Sequence, residues 1–163
     1  MRKLILHIGA HRTATTATQK TLRKNFKALL RQGVFYPYGV DRHIRIANML
    51  LSGAMPPAEL AEDLGRRAEA WEKELGREVG TIILSDEDIC MRRDLSILAP
   101  LRDHFDVEII FALRRQDLWL ESWYLQNVKG QWNKSLAHLT FDEFMDRSEE
   151  FHWIDYDRYA RHL

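Results

Sequence analysis

Residues 3 to 19 read KLILHIGAHRTATTATQ, and three kinds of local pattern follow one another in them. It opens with a nearly continuous apolar run at 3–8, passes through Gly9 and a segment of small polar residues, and ends in a helical pattern. Continuous apolar runs of this length are typical of strands that are buried on both faces. The stretch therefore predicts a strand, a tight loop and a helix.

Two further apolar runs, at 79–85 and 107–113, have the same character. Helical periodicity follows the first run and returns at 60–75, and residues 34–37 suggest one more short strand at an edge. The chain thus alternates strand, helices, strand, helix, strand, helix, which favours parallel pairing through right-handed crossovers. The predicted fold is a P-loop-like α/β domain of three layers, in which helices flank a short, mostly parallel sheet.

Composition limits the function. The 163 residues include 24 lysines and arginines against 24 aspartates and glutamates, so the chain has no basic field to attract nucleic acid. The single cysteine, Cys90, excludes an internal disulfide and is expected to be buried. No apolar run has the length of a signal-peptide core or a membrane span, so we expect a cytoplasmic protein that does not insert into membranes.

The loop after the first strand has the composition of an anion site. Gly9 permits a tight turn, Ala14 keeps side-chain bulk low, and Arg12 adds a positive charge. Unpaired N–H groups at the start of the following helix bind anions. Further donors are the hydroxyls of Thr13, Thr15 and Thr16. The alternative is an ordinary connection in which Thr15 or Thr16 only caps the helix.

The loop departs from the Walker pattern GxxxxGK[ST], because Ala14 and Thr15 stand where its second glycine and its lysine belong. This disfavours an ordinary ATP site. A kinase remains an alternative, since Asp86 follows the apolar run TIIL and could act as a magnesium ligand. The seven histidines are scattered and form no HExxH motif, so we expect no metal site.

The loop GAHRTATTATQ resembles the 5′-phosphosulfate loop of sulfotransferases, GxxKTGTTxLQ, particularly in bacterial and carbohydrate-type members. Arg12 replaces the lysine of that motif, Ala14 its glycine and Thr18 its leucine. The positions that match are Thr13, Thr15, Thr16 and Gln19.

Two later segments resemble the same family. VEIIFALRRQDLWLESWYLQNVKG is similar to its 3′-phosphate segment, with Arg114 and Ser122 at the positions of the binding arginine and serine. ILSDEDI, at 83–89, is similar to a strand end that carries a catalytic acid in several carbohydrate sulfotransferases, and that position falls on Glu87.

The resemblance implies 3′-phosphoadenosine 5′-phosphosulfate as the sulfuryl donor, without a metal, and a small-molecule or carbohydrate acceptor. Arg114 and Ser122 would hold the 3′-phosphate, Arg12 would stabilise charge on the transferring group, and Glu87 would take the acceptor's proton. The implied donor-binding loop comprises Gly9, His11, Arg12, Thr13, Ala14, Thr15 and Thr16.

A catalytically silent nucleotide- or anion-binding module is a second hypothesis, motivated by the substitutions at Arg12 and Ala14. If the position of Ala14 requires a positive φ, alanine costs about 1 kcal/mol there and can move the loop.

The last part of the chain lacks the family's closing segment. Residues 140–150 and the final nine residues show helical patterns, but nothing in 131–163 matches the glycine-containing segment that closes over the adenine. The sequence therefore predicts one domain, 1–163, that lacks the C-terminal part of the family fold, binds the donor weakly and forms homo-oligomers through exposed apolar surface. The aromatics around 119–132, including Trp132, are expected mostly in the core.

Overall fold

A computed structural model describes residues 1–130 and 133–163, so Trp132 lies outside the described residues. Within these residues, the strands are β1 (Lys3–His7), β2 (Val34–Phe35), β3 (Thr81–Ser85) and β4 (Asp106–Ile110). They form one sheet in the order β2-β3-β1-β4, and every neighbouring pair is parallel. Helices flank this sheet, and the predicted three-layer α/β fold is confirmed.

Seven α-helices of the described residues connect and cover the strands. They are α1 (Thr15–Lys24), α2 (Phe26–Leu30), α3 (Ile44–Leu51), α4 (Pro57–Leu75), α5 (Gln116–Gly130), α6 (Phe141–Asp146) and α7 (Tyr156–Ala160). Helix α4 begins at a proline, which lacks the N–H that a helix start leaves unpaired, and ends at Gly76 in the left-handed conformation. None of the described helices is long and apolar enough to cross a membrane.

The connection from β3 to β4 differs from the predicted helix. It runs through two 3₁₀ segments, Glu87–Met91 and Ser96–Asp103. Pro100 lies inside the second segment, where it has no N–H to donate and its ring would clash in a regular α-helix.

The core is centred on β1 and β3, where Leu4 pairs in register with Ile82 and both side chains are fully buried. Cys90 is buried as expected, and burial raises the pKa of its thiol to about 12. The prediction that the third apolar run is buried on both faces is wrong. It forms β4 at the edge of the sheet, where Ile110 is 49% exposed.

The strand order creates a crevice at the carboxyl edge of the sheet. The chain leaves β1 towards the side of β2 and leaves β3 towards the side of β4, and right-handed crossovers in opposite directions place the two connections on opposite faces of the sheet. Backbone bonds tie the strand ends together: the Asp86 N–H donates to the His7 carbonyl at 3.0 Å, and the Ile8 N–H donates to the Ile110 carbonyl at 2.9 Å. The segments following β1, β3 and β4 therefore meet at one edge.

Candidate anion-binding cleft

The loop between β1 and α1 has an unusual backbone. Gly9, Arg12 and Ala14 have φ values of 65°, 67° and 63°, all in the left-handed region. The backbone N–H groups of residues 12–16 donate no hydrogen bond to any residue within the described ranges. Consecutive N–H groups next to left-handed residues form concave anion sites, and the backbone of this loop has that arrangement.

The helix begins without a threonine cap. Ala14 occupies the N-cap position, and no side chain caps the helix start. The alternative in which Thr15 or Thr16 serves as the N-cap is therefore wrong, because α1 begins at Thr15 itself. A left-handed alanine is strained by contact between its Cβ and the backbone, which costs about 1–2 kcal/mol.

Gly9 brings this loop against the 3₁₀ segment that follows β3. A Cβ placed on Gly9 would lie 2.8 Å from the Cβ of Glu87 and 3.0 Å from Cγ2 of Thr15. Neither approach leaves room for a side chain, so glycine is required here for space as well as for its positive φ. The close approach sets Glu87 beside the loop.

A cleft of about 380 Å³ opens at this point. Seven of the predicted site residues line it: His11, Arg12, Ala14, Thr15, Thr16, Glu87 and Arg114. The sequence analysis missed three further lining residues, Arg42, Trp123 and Gln126. The other predicted residues are outside the lining. Thr13 donates its hydroxyl to the Ala10 carbonyl at 2.6 Å, within the loop itself.

Glu87 is held by a buried polar network. The side-chain amide of Gln19 donates to Oε2 of Glu87 at 2.7 Å and to the hydroxyl of Ser85 at 3.1 Å. That hydroxyl lies 2.6 Å from Nδ1 of His7, whose pKa is lowered by burial. Gln19 was visible in the sequence as a match to the loop motif, but its contact with Glu87 was not. The network fixes the carboxylate at the cleft.

Arg42 enters the cleft from the segment between β2 and α3. Its Nε donates to Asp86 at 2.7 Å and lies 3.4 Å from Oε2 of Glu87, while Nη2 lies 2.6 Å from Asp88. Burial opposes the charge of Arg42, but the hydrogen bonds and the negative charge of Asp86, with the other two carboxylates, hold its pKa above the ordinary value. The single positive charge of Arg42 thus partly offsets the negative charges of Asp86, Glu87 and Asp88.

The same contacts weaken the magnesium alternative. Both carboxylate oxygens of Asp86 accept N–H bonds from Arg42, and Oδ1 also accepts one from the Asp88 backbone at 3.0 Å. Within 1–130 and 133–163, no group of three or more histidine, cysteine or acidic residues could hold a metal ion. Asp86 is the partner of an arginine in this structure.

His11 anchors the loop to its surroundings. Its Nε2 lies 2.9 Å from Asp88, and this hydrogen bond, with the contacts from Arg42, lowers the pKa of that carboxyl. The indole N–H of Trp119 donates to the His11 carbonyl at 2.6 Å, and Trp119 stacks on Trp123 at 5.5 Å between ring centroids. The buried aromatics of α5 therefore position the loop.

Two arginines meet at the α5 side of the cleft. Arg12 donates to the Ser122 hydroxyl at 2.8 Å and to the Gln126 side-chain carbonyl at 3.1 Å. Arg114 donates to the Arg12 carbonyl at 3.1 Å. Ser122 accepts from Arg12 and so is near the cleft without lining it. The neighbouring Arg115 is exposed and forms an ion pair elsewhere.

Comparison with protein-family models, with curated proteins and with solved structures finds no match to this chain.

Proposed function

We propose that the cleft binds 3′-phosphoadenosine 5′-phosphosulfate and that the protein transfers its sulfuryl group to a hydroxyl or amine. The observation that carries the proposal is the row of backbone N–H groups at 12–16 that have no partner among the described residues, beside Arg12, Arg114 and the buried carboxylate of Glu87 in one cleft. A donor with two separate anionic groups needs a backbone anion site and a second basic group, and this cleft offers both.

The division of roles follows from the chemistry of each group. The loop at 12–16 would hold the 5′-phosphosulfate, and the planar fork of Arg114 suits two oxygens of a 3′-phosphate. The Ser122 hydroxyl accepts a hydrogen bond from Arg12, and its own proton would be free to donate to the 3′-phosphate. Arg12 would offset charge on the transferring group. These roles agree with those implied by the resemblance to sulfotransferases.

Glu87 is suited to the proton transfer. In the proposed reaction its carboxylate takes the proton of the acceptor, a bond forms between sulfur and the oxygen or nitrogen of the acceptor, and the bond between sulfur and the 5′-phosphate oxygen breaks. The proton, the sulfuryl group and the leaving nucleotide are then all accounted for. Gln19 holds one oxygen, Oε2, which orients the carboxyl group towards the cleft.

The silent binding module is the second candidate, and a specific observation favours it. Arg12 and Ala14, two of the three departures from the family motif, are also the two non-glycine residues with positive φ in this loop. Backbone strain of this kind occurs at functional sites, and here it falls on positions that lack the residues of the motif.

Transfer of labelled sulfate from the donor to a panel of phenols, alcohols, amines and sugars, followed by mass spectrometry, tests the proposal. We expect transfer by the wild type and a fall of about 10²-fold or more in Glu87→Gln, because the variant loses the base and keeps its shape. Donor affinity should persist.

The matched control is Glu121→Gln, which alters an exposed carboxylate of α5 outside the cleft lining and should leave transfer unchanged. Donor binding without transfer to any acceptor would favour the silent module. Absence of donor binding would contradict both.

A further inference from the structure

A second cavity of about 580 Å³ lies between the segment after β2 and the first half of α4. Cavities of this volume, with mainly apolar walls, are typical of small-molecule sites. The apolar part of the wall consists of Tyr38, Val40, Ile44, Ile46, Met49 and Met55. We call this cavity the α3–α4 groove.

The apolar wall of the groove is accessible to a ligand. Val40 and Ile44 are 40% and 42% exposed, although they are large apolar side chains, and both line this groove. The two methionines add flexible, polarisable surface that adapts to the shape of an apolar ligand. Covering this wall would remove apolar area from water, which favours binding.

The charges within the wall are largely neutralised. Asp63 accepts from Arg66 at 3.0 Å and from Arg67 at 2.7 Å, and the guanidinium of Arg67 lies 4.8 Å from the centroid of the Tyr38 ring. The other charged residues of the lining, apart from Arg42, are exposed to solvent: Arg45, Glu59 and Glu62. The groove therefore has no concentrated charge of either sign to select a polyanion or a polycation.

Arg42 joins the groove to the anion-binding cleft, because it lines both. Its guanidinium is fixed by Asp86 and Asp88, and its Nε lies 3.4 Å from Oε2 of Glu87. A molecule whose apolar body lies in the groove can therefore present a hydroxyl or amine at the Arg42 end, next to the carboxylate of Glu87.

We infer that the α3–α4 groove binds the acceptor, and that the acceptor is an uncharged aromatic or branched aliphatic molecule carrying a hydroxyl or an amine. This inference rests on the proposed function for the transfer step. A sugar fits less well against the six apolar side chains of the wall, because any hydroxyl group that faces them would be left without a hydrogen-bond partner. The groove thus favours a phenol-like acceptor over a carbohydrate.

Binding of 2-naphthol, followed by its own fluorescence, tests the groove without the donor. We expect saturable one-site binding that methyl glucoside does not displace. Ile44→Glu should weaken it by about tenfold or more, because a carboxylate would then face the apolar ring. Val128→Glu is the matched control: Val128 is also β-branched, is 43% exposed, and lies on α5 outside both cavities.

A second readout separates this inference from the proposed function. Neither variant should alter the affinity for 3′-phosphoadenosine 5′-phosphate, and that nucleotide should bind together with 2-naphthol. Naphthol binding without nucleotide binding would leave the groove as an apolar-ligand site and overturn the proposed function alone. If Ile44→Glu fails to fold by circular dichroism, Val40→Glu provides the same test.

Any one of three results would overturn the acceptor assignment. The first is the absence of saturable naphthol binding, and the second is an equal loss of naphthol affinity in Ile44→Glu and Val128→Glu. The third is displacement of naphthol by the nucleotide.

Discussion

Replacing Ala14 with glycine should stabilise the protein, although glycine substitutions usually destabilise. Ala14 has φ 63° and ψ 19°, a conformation that costs an L-residue about 1–2 kcal/mol and costs glycine almost nothing. Glycine also raises the conformational entropy of the unfolded chain, which lowers the free energy of unfolding by about 0.4–1 kcal/mol and so offsets part of the relieved strain. The net stabilisation should be about 0.5–1 kcal/mol, or about 1–4 °C in Tm for a chain of this size.

Ala17→Gly is the matched control, because Ala17 is exposed and lies three residues further on, inside α1. There glycine should destabilise by about 0.5–1 kcal/mol, since the residue is helical and alanine is favoured. Urea denaturation followed by circular dichroism measures both changes. Replacing alanine with glycine should thus increase the free energy of unfolding at position 14 and decrease it at position 17. A loss of stability in Ala14→Gly as large as that in Ala17→Gly would refute the left-handed geometry and, with it, the anion-binding conformation of the loop.

Three further predictions concern a nucleotide contact, acid stability and association. Measured by calorimetry, Arg114→Ala should weaken binding of 3′-phosphoadenosine 5′-phosphate by about 10–100-fold, because one charge-assisted contact is lost. The affinity for adenosine 5′-monophosphate, which has no 3′-phosphate, should not change. Equal losses of affinity for both nucleotides would show that Arg114 has a structural role. The pKa of Asp88 is lowered, so the stabilisation from its ionised carboxylate is full above about pH 4 and is lost as the pH falls through the lowered pKa. In acid unfolding, the free energy of unfolding of the wild type should therefore exceed that of Asp88→Asn by less and less as the pH falls through this window. A difference that stays constant with pH would contradict the ion pairing of Asp88. Light scattering should show that the protein self-associates as its concentration rises, through the exposed edge of β4, and that Ile110→Lys reduces this association. A wild-type protein that stays monomeric at all concentrations would refute the prediction of self-association.

The sheet and the loop could be predicted from the sequence because their signals are local. The apolar runs gave β1 and β3, and the small residues after β1 indicated the anion loop. The edge position of β4 could not be found in this way, because its run is as apolar as the others and strand order depends on pairing across the whole sheet. The 3₁₀ connection had a local signal in Pro100.

The site was predictable only where a motif marks it. Glu87 and Arg114 follow strands and match motif positions, and both line the cleft. Arg42 matches no motif, and its partner Asp86 is 44 residues away along the chain. Their contact depends on how the segment between β2 and α3 packs against the end of β3. The contact between Arg12 and Ser122 spans 110 residues and likewise depends on the packing of α5.

Calorimetric titration of the protein with 3′-phosphoadenosine 5′-phosphate, in the presence of a metal chelator, measures donor-site binding independently of any acceptor. We predict saturable one-to-one binding without a divalent cation, and weaker binding of adenosine 5′-monophosphate, because the row of N–H groups at 12–16 would engage one phosphate and Arg114 the other. No binding of the bisphosphate, or equal affinity for the two nucleotides, would contradict it.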